Sequence, residues 1–120
     1  ELKLSNVTIK GRLSRKETIN EIMSSSYGLL INSDDKHSRL FTSPLKYFEY
    51  LAASLKVIAV NFPSHNLLPE QSNIYYFENE DLDSLKKSIY RASESKFIDV
   101  DLEKYSLNNR VKQIINFFNQ

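Results

Sequence analysis

The sequence predicts an α/β fold, a Rossmann-like parallel sheet with helices on both faces. Three observations carry that prediction. Tyr27-Gly28-Leu29-Leu30-Ile31-Asn32 and Lys56-Val57-Ile58-Ala59-Val60 are short apolar runs without polar alternation, as strands covered on both faces are. Segments with apolar residues at i, i+3 and i+4 separate such runs. The resulting order of strand then helix, repeated along the chain, implies right-handed crossovers and a parallel sheet.

Asn6-Val7-Thr8-Ile9-Lys10 reads as the first strand, ended by Gly11. Ser14 followed three residues later by Glu17 is a capping box, and Ile19, Ile22 and Met23 give the helix behind it one apolar stripe. Residues 27–32 are the second strand and residues 33–42 a polar loop, long for a strand-to-helix link and for that reason a candidate functional loop. Ser43 suits an N-cap and Pro44 a first helical position; Leu45, Phe48, Leu51 and Ala52 are expected to face inward. Residues 56–60 form the third strand. A short turn or helix spans 63–68 before Pro69, and residues 73–77 form the fourth strand. Asp81 caps a helix carrying Leu82, Leu85, Ile89 and Tyr90, and Val111, Ile114, Ile115 and Phe118 stripe a last helix starting at Asp101 or Ser106. Residues 92–100 are the one plausible hinge.

Composition narrows the function classes. The chain has 120 residues, 41% hydrophobic and 26% charged, the profile of one globular domain. Lys+Arg 16 against Asp+Glu 15 leaves a net charge of +1, so no electrostatic footprint for nucleic acid is present. Cysteine is absent, which excludes disulfides and thiolate metal sites. No apolar run reaches the roughly 20 residues that span a bilayer, and no secretory signal pattern opens the sequence.

Ligands of open α/β sheets bind beyond the carboxyl ends of the strands. Three segments are expected there: 11–15, 32–46 and 61–65. Backbone amides at the start of the Pro44 helix favour an anion through the helix dipole, with Leu45 and Lys46 as donors and the Lys46 ammonium as an added charge. Glu49 sits beside Leu45 on the helix wheel. There it can accept two hydroxyl hydrogen bonds, as from a ribose diol; a salt pair with Lys46 at i−3, or plain exposure, is the alternative. His37 and His65 read as loop histidines with no metal-ligand spacing. Asp34-Asp35 either binds a cation or keeps its loop solvated, and Tyr75-Tyr76-Phe77 reads as a core edge. No phosphate-binding glycine loop or nucleophile elbow occurs, and no metal site is expected.

The stretch Ser43-Pro44-Leu45-Lys46-Tyr47-Phe48-Glu49-Tyr50-Leu51-Ala52-Ala53, followed by Lys56-Val57-Ile58-Ala59, resembles the C-terminal nucleotide-sugar-binding domain of GT-B glycosyltransferases. The group it is most similar to is the retaining glycosyl transferases group 1. Asn6-Val7-Thr8-Ile9-Lys10-Gly11-Arg12-Leu13-Ser14, Tyr27 to Asn32, and Leu107-Asn108-Asn109-Arg110-Val111 with Ile114-Ile115 agree in order and spacing.

The resemblance implies that Glu49 holds the donor ribose, that Thr42, Ser43 and Leu45 meet the diphosphate through backbone, and that Arg12 and Leu13 meet the base. Phe41 stands where many members carry a second glutamate, eight residues before the ribose one, so sugar handling is expected to differ; the catalytic residues are not identified. The resemblance implies a transferase moving a sugar from a nucleoside diphosphate sugar to a hydroxyl in glycan or polysaccharide biosynthesis, with that donor as substrate and no further cofactor. Residues 1–120 would be a partial donor-binding domain, with a helical region at about 101–120. Two strands and the N-terminal acceptor-binding domain of the family have no counterpart here, so the chain is expected to be inactive alone. The missing strands would lie between the first and second strands, and the seam invites a homo-oligomer. A cytoplasmic location is implied, with peripheral membrane association where the acceptor is lipid-linked. A sugar-nucleotide 2-epimerase of the same fold and a non-catalytic α/β interaction module remain alternatives.

Overall fold

The computed structural model describes residues 4–41 and 45–118. Three parallel strands form one sheet in the order β1-β2-β3: Tyr27–Leu30, Lys56–Val60 and Ile74–Phe77. Gly28 aligns with Val57 and Val57 with Ile74. Helix α1 spans Arg15–Met23, α2 Lys36–Phe41, α3 Leu45–Ala52, α4 Pro63–Asn66, α5 Leu82–Glu94 and α6 Leu107–Phe118. Single 3-10 turns occur at Gln71–Asn73 and Leu102–Tyr105.

The period-two side-chain direction of a strand divides the core into two layers. Val57 and Ala59 of β2 pack with Leu30, Ile74, Tyr47 and Leu51 beneath α3. Ile58 and Val60 pack with Phe62, Phe77 and Ala92 beneath α5. Helices therefore cover both faces, as the sequence predicts. The α1 capping box forms: the Glu17 amide donates to Ser14 Oγ and the Ser14 amide to the Glu17 carboxylate.

Several expectations are corrected. Residues 6–10 form no strand; they are exposed, with Ile9 91% accessible. The sheet thus has three strands rather than four, and β1 is an edge strand rather than a central one. Leu29 and Ile31 stay exposed because α5 covers only β2 and β3. The loop of 33–42 contains α2, whose N-terminus is capped by Asp35: its Oδ1 accepts from the Ser38 amide at 2.8 Å. The inward face of α3 is Tyr47 and Leu51, not Leu45 and Ala52, both of which are exposed. The inward face of α5 is Ser88 and Ala92 with Leu85, while Leu82, Ile89 and Tyr90 lie outside.

Residues 92–100, which read as a hinge in the sequence, begin inside α5 and are tied to the sheet unit by hydrogen bonds and packing. Buried Asn73 clamps Ile98 at both ends: its Nδ2 donates to the Ile98 carbonyl and its Oδ1 accepts from the Ile98 amide, each at 2.9 Å. Phe97 and Val100 then pack into the α3 layer. Lys56 Nζ closes the end of α5 by donating to the Ala92 and Ser95 carbonyls, a cation placed where the helix dipole is negative. This path carries the chain from the α5 side to the α3 side and sets the Leu102–Tyr105 turn against α3, with the Phe48 and Tyr105 rings 5.9 Å apart.

Candidate functional site

Helix α3 follows β1 and precedes β2 in a parallel pair, so its first turn lies at the carboxyl rim of the sheet. Tyr47 fixes its rotation. This ring is fully buried and its hydroxyl donates to the Pro69 carbonyl; burial, with the Glu70 charge nearby, raises the phenol's pKa. Tyr50, three residues on, lies flat across β1 because Gly28 has no side chain. A Cβ there would fall 2.3 Å from the Tyr50 ring.

That rotation sends Glu49 away from the sheet and toward α1. Its side chain is 37% exposed, and Oε1 lies 3.4 Å from Arg15 Nη1. Both residues line a cleft of about 220 Å³ between α1 and the end of α3, walled by Ile19, Ile22, Met23, Ala52 and Ala53. The partner of Glu49 is therefore Arg15, not Lys46. Surface ion pairs of this kind contribute about 0–1 kcal/mol, so the pair is weak enough for a hydroxyl ligand to compete. The volume is below the roughly 300–1,000 Å³ of drug-sized ligand pockets; it suits one end of a larger ligand.

The remaining candidates distribute as follows. Arg12 is exposed and Leu13 half-buried. Both sit in the turn after Gly11, whose φ of 67° bends the chain into Ser14 and Arg15, so they adjoin the same end of α1. Leu45 and Lys46 are exposed in the first turn of α3. Thr42 and Ser43 lie outside the described residues, as does Pro44. The structure thus brings Glu49 to Arg15, the first residue of α1, while Arg12 and Leu13 precede that residue in sequence and do not line the cleft. Arg15 carries no local signal of this contact, which spans 34 residues.

His65 corrects the expectation of a solvated loop histidine. It is wholly buried in α4, at the carboxyl end of β2. Its Nδ1 lies 2.8 Å from the Val60 carbonyl. A carbonyl only accepts, so Nδ1 carries the proton and Nε2 accepts from Asn32 Nδ2 at 3.4 Å. The ring also stacks on Phe62. These contacts tie the ends of β1 and β2 together and leave the imidazole no open nitrogen.

Asp34 and Asp35 are likewise committed. Asp34 accepts from Arg39 at 2.7 Å and from Asn79 at 3.1 Å. Hydrogen bonds from the Ser33 hydroxyl and from Ser38 hold the Asp35 carboxyl down at about 2. His37 is exposed in the first turn of α2.

Further hollows lie away from this cleft. One of about 640 Å³ is lined by Ser84, Lys86, Lys87, Tyr90 and Arg91; all belong to α5, so no second wall encloses it. One of about 240 Å³ lies between the end of β3 and the start of α5. Another of about 340 Å³ lies between the start of α3, the Leu102–Tyr105 turn and α6, lined by Leu45, Phe48, Lys104, Tyr105, Arg110 and Gln113. Among the described residues, no helix is long and apolar enough to cross a membrane.

No family model, curated protein or solved structure matches this chain.

Proposed function

We propose that this chain is the donor-binding part of a glycosyltransferase, the part that holds a nucleoside diphosphate sugar while its sugar passes to a hydroxyl acceptor in glycan or glycoconjugate assembly. The observation that carries the reading is the position of Glu49. It is a half-shielded carboxylate in a cleft, one turn from the start of a helix that begins at the carboxyl rim of a parallel sheet. Its likeness in sequence to the ribose-holding glutamate of the glycosyl transferases group 1 gives that carboxylate a task.

In this reading the ribose hydroxyls donate to Glu49, displacing or sharing the Arg15 contact. The Arg12–Leu13 turn lies against the base. The first-turn amides of α3, those of Leu45 and Lys46, face the diphosphate, and Thr42 and Ser43 keep the diphosphate role that the resemblance implies for them. During transfer the bond from the anomeric carbon to the diphosphate breaks and its electron pair leaves with the phosphate oxygen. The acceptor oxygen bonds the anomeric carbon and its proton passes to the departing diphosphate. Helix-end dipoles and cations stabilise the charge that develops on that leaving group. The acceptor side belongs to an N-terminal domain of the parent enzyme, so this chain alone binds and does not turn over. The parent works in the cytoplasm, at the inner membrane face if its acceptor is lipid-linked.

Calorimetric titration with UDP, GDP and ADP tests the reading. One of the three is expected to bind, and Glu49→Ala to weaken it by about 1–3 kcal/mol, the loss of hydrogen bonds to a charged acceptor. Equal affinity of the Glu49→Ala variant and the parent chain would sink it.

A further inference from the structure

The 340 Å³ hollow beside α3 has a composition that the donor reading has not used. Phe48 and Tyr105 form two aromatic walls, tilted at 55° to one another. Two cations and an amide line the rest: Lys104, Arg110 and Gln113. The cations are not equivalent. Lys104 pairs with Glu70, and the Tyr105 hydroxyl donates to the same carboxylate. These two donors hold the Glu70 carboxyl below its ordinary range, and the lysine's charge is already answered. Arg110 has no carboxylate partner among the described residues. It stands one turn from Gln113 on α6, so guanidinium and amide project together. The volume falls within the range of small-molecule sites. The cation over the Tyr105 ring is Lys104, at 5.1 Å, and an unanswered guanidinium lining the same hollow suits a phosphorylated anion.

The hollow also continues the proposed donor site. Leu45 and Phe48 line it, while Glu49 lines the α1 cleft on the neighbouring face of the same helix. Leu45 and Glu49 are one turn apart, about 6 Å along the axis. Because Leu45 lines the hollow, a ligand with its ribose at Glu49 and its phosphates over the first turn of α3 would adjoin it. We propose that the phosphate end of the donor seats here, with Arg110 as its charge partner and Gln113 as an additional hydrogen-bond donor. The α6 helix would then belong to the binding site rather than only flank it. This inference rests on the donor reading, and its ligand chemistry is that of a nucleoside diphosphate.

The test is calorimetry on the full chain with inorganic pyrophosphate and with UDP, GDP and ADP, comparing Arg110→Gln, Lys112→Gln and Glu49→Ala. Lys112 is an exposed α6 cation outside the hollow and controls for general charge. Arg110→Gln is expected to weaken both pyrophosphate and the preferred nucleoside diphosphate about tenfold, the size of one charge-assisted hydrogen bond, while Lys112→Gln leaves both unchanged. Equal losses in the two α6 variants overturn the inference, because the effect is then only net charge. Loss with Glu49→Ala but not with Arg110→Gln overturns it and leaves the donor reading standing. Loss of pyrophosphate binding with Arg110→Gln, together with no effect of Glu49→Ala on any nucleotide, upholds the hollow as an anion site and removes the donor reading.

Discussion

Gly28 and Tyr50 set the angle at which α3 meets the sheet. The Tyr50 hydroxyl reaches the Leu29 carbonyl at 3.4 Å, and the ring occupies the space a side chain at 28 would need. Gly28→Ala is therefore expected to destabilise by about 1–3 kcal/mol, the range for overpacking a filled core. Adding Tyr50→Ala, which removes the Cγ and ring atoms that the new Cβ would meet, should recover part of that loss, since the two changes share one volume. Urea midpoints of the two variants measure it, and purely additive losses would contradict the contact. With buried Tyr47 this pair seats the helix that carries Glu49, and neither residue of the pair looks functional in the sequence. Glu49 itself is legible as a candidate from its place after the Pro44 start. Its partner Arg15 is not, because a contact between two helices joined through a strand leaves no local spacing to read. His65 is missed for a similar reason: a histidine followed by Asn66 reads as loop, and only the tertiary contacts with Val60 and Asn32 reveal a buried, satisfied ring.

Elements with local determinants are legible, and those whose pairing depends on distant partners are not. The Ser14 capping box, the Asp81 cap, the Pro63 turn and the apolar run of β2 carry their own signals and form where expected. Residues 6–10 have the alternation of a strand, but a strand exists only when another pairs with it, and here none does. In 33–42 the polar residues suggest a loop, yet Asp35 caps a helix there. Its carboxyl, lowered from 3.8 to about 2, stabilises the folded form above the ordinary carboxylate value, and that contribution fades as pH falls toward about 2. Acid titration followed at the Ser38 amide should report this transition, and Asp35→Asn should abolish it. A Ser38 amide insensitive to pH across that interval would show that the cap does not form. Asn73 makes the corresponding test for residues 95–100. Asn73→Ala strips the Ile98 amide and carbonyl of their partners, at about 2–4 kcal/mol for two such bonds. Hydrogen exchange at Ile98 should rise well ahead of that at Ile58; parallel rises would mean global rather than local loosening.

At the scale of the molecule, the chain is less compact than its length allows. The Cα radius of gyration is 16.5 Å, with extents of 58 × 31 × 30 Å, against about 14 Å for a typical domain of this length. Residues 4–26, with α1 among them, and α6 contribute no buried residue to the core. Beside them β1 presents its outer edge unpaired, and Tyr27, Leu29 and Ile31 stay open on the uncovered face at 38%, 50% and 60% exposure. An apolar strand edge without charge or proline to blunt it templates pairing with another chain. The isolated chain is therefore expected to self-associate with concentration, through β1. Leu29→Lys places a charge on that face at a half-exposed position, so it should shift the protein toward monomer with less effect on its unfolding midpoint than a substitution of its buried ladder partner Ile58. Because the chain has no cysteine, Leu29→Cys offers a clean second reading, in which oxidation traps a disulfide-linked dimer. Sedimentation equilibrium decides between the outcomes. A parent chain that stays monomeric over a hundredfold concentration range would show that this edge does not pair with a second copy.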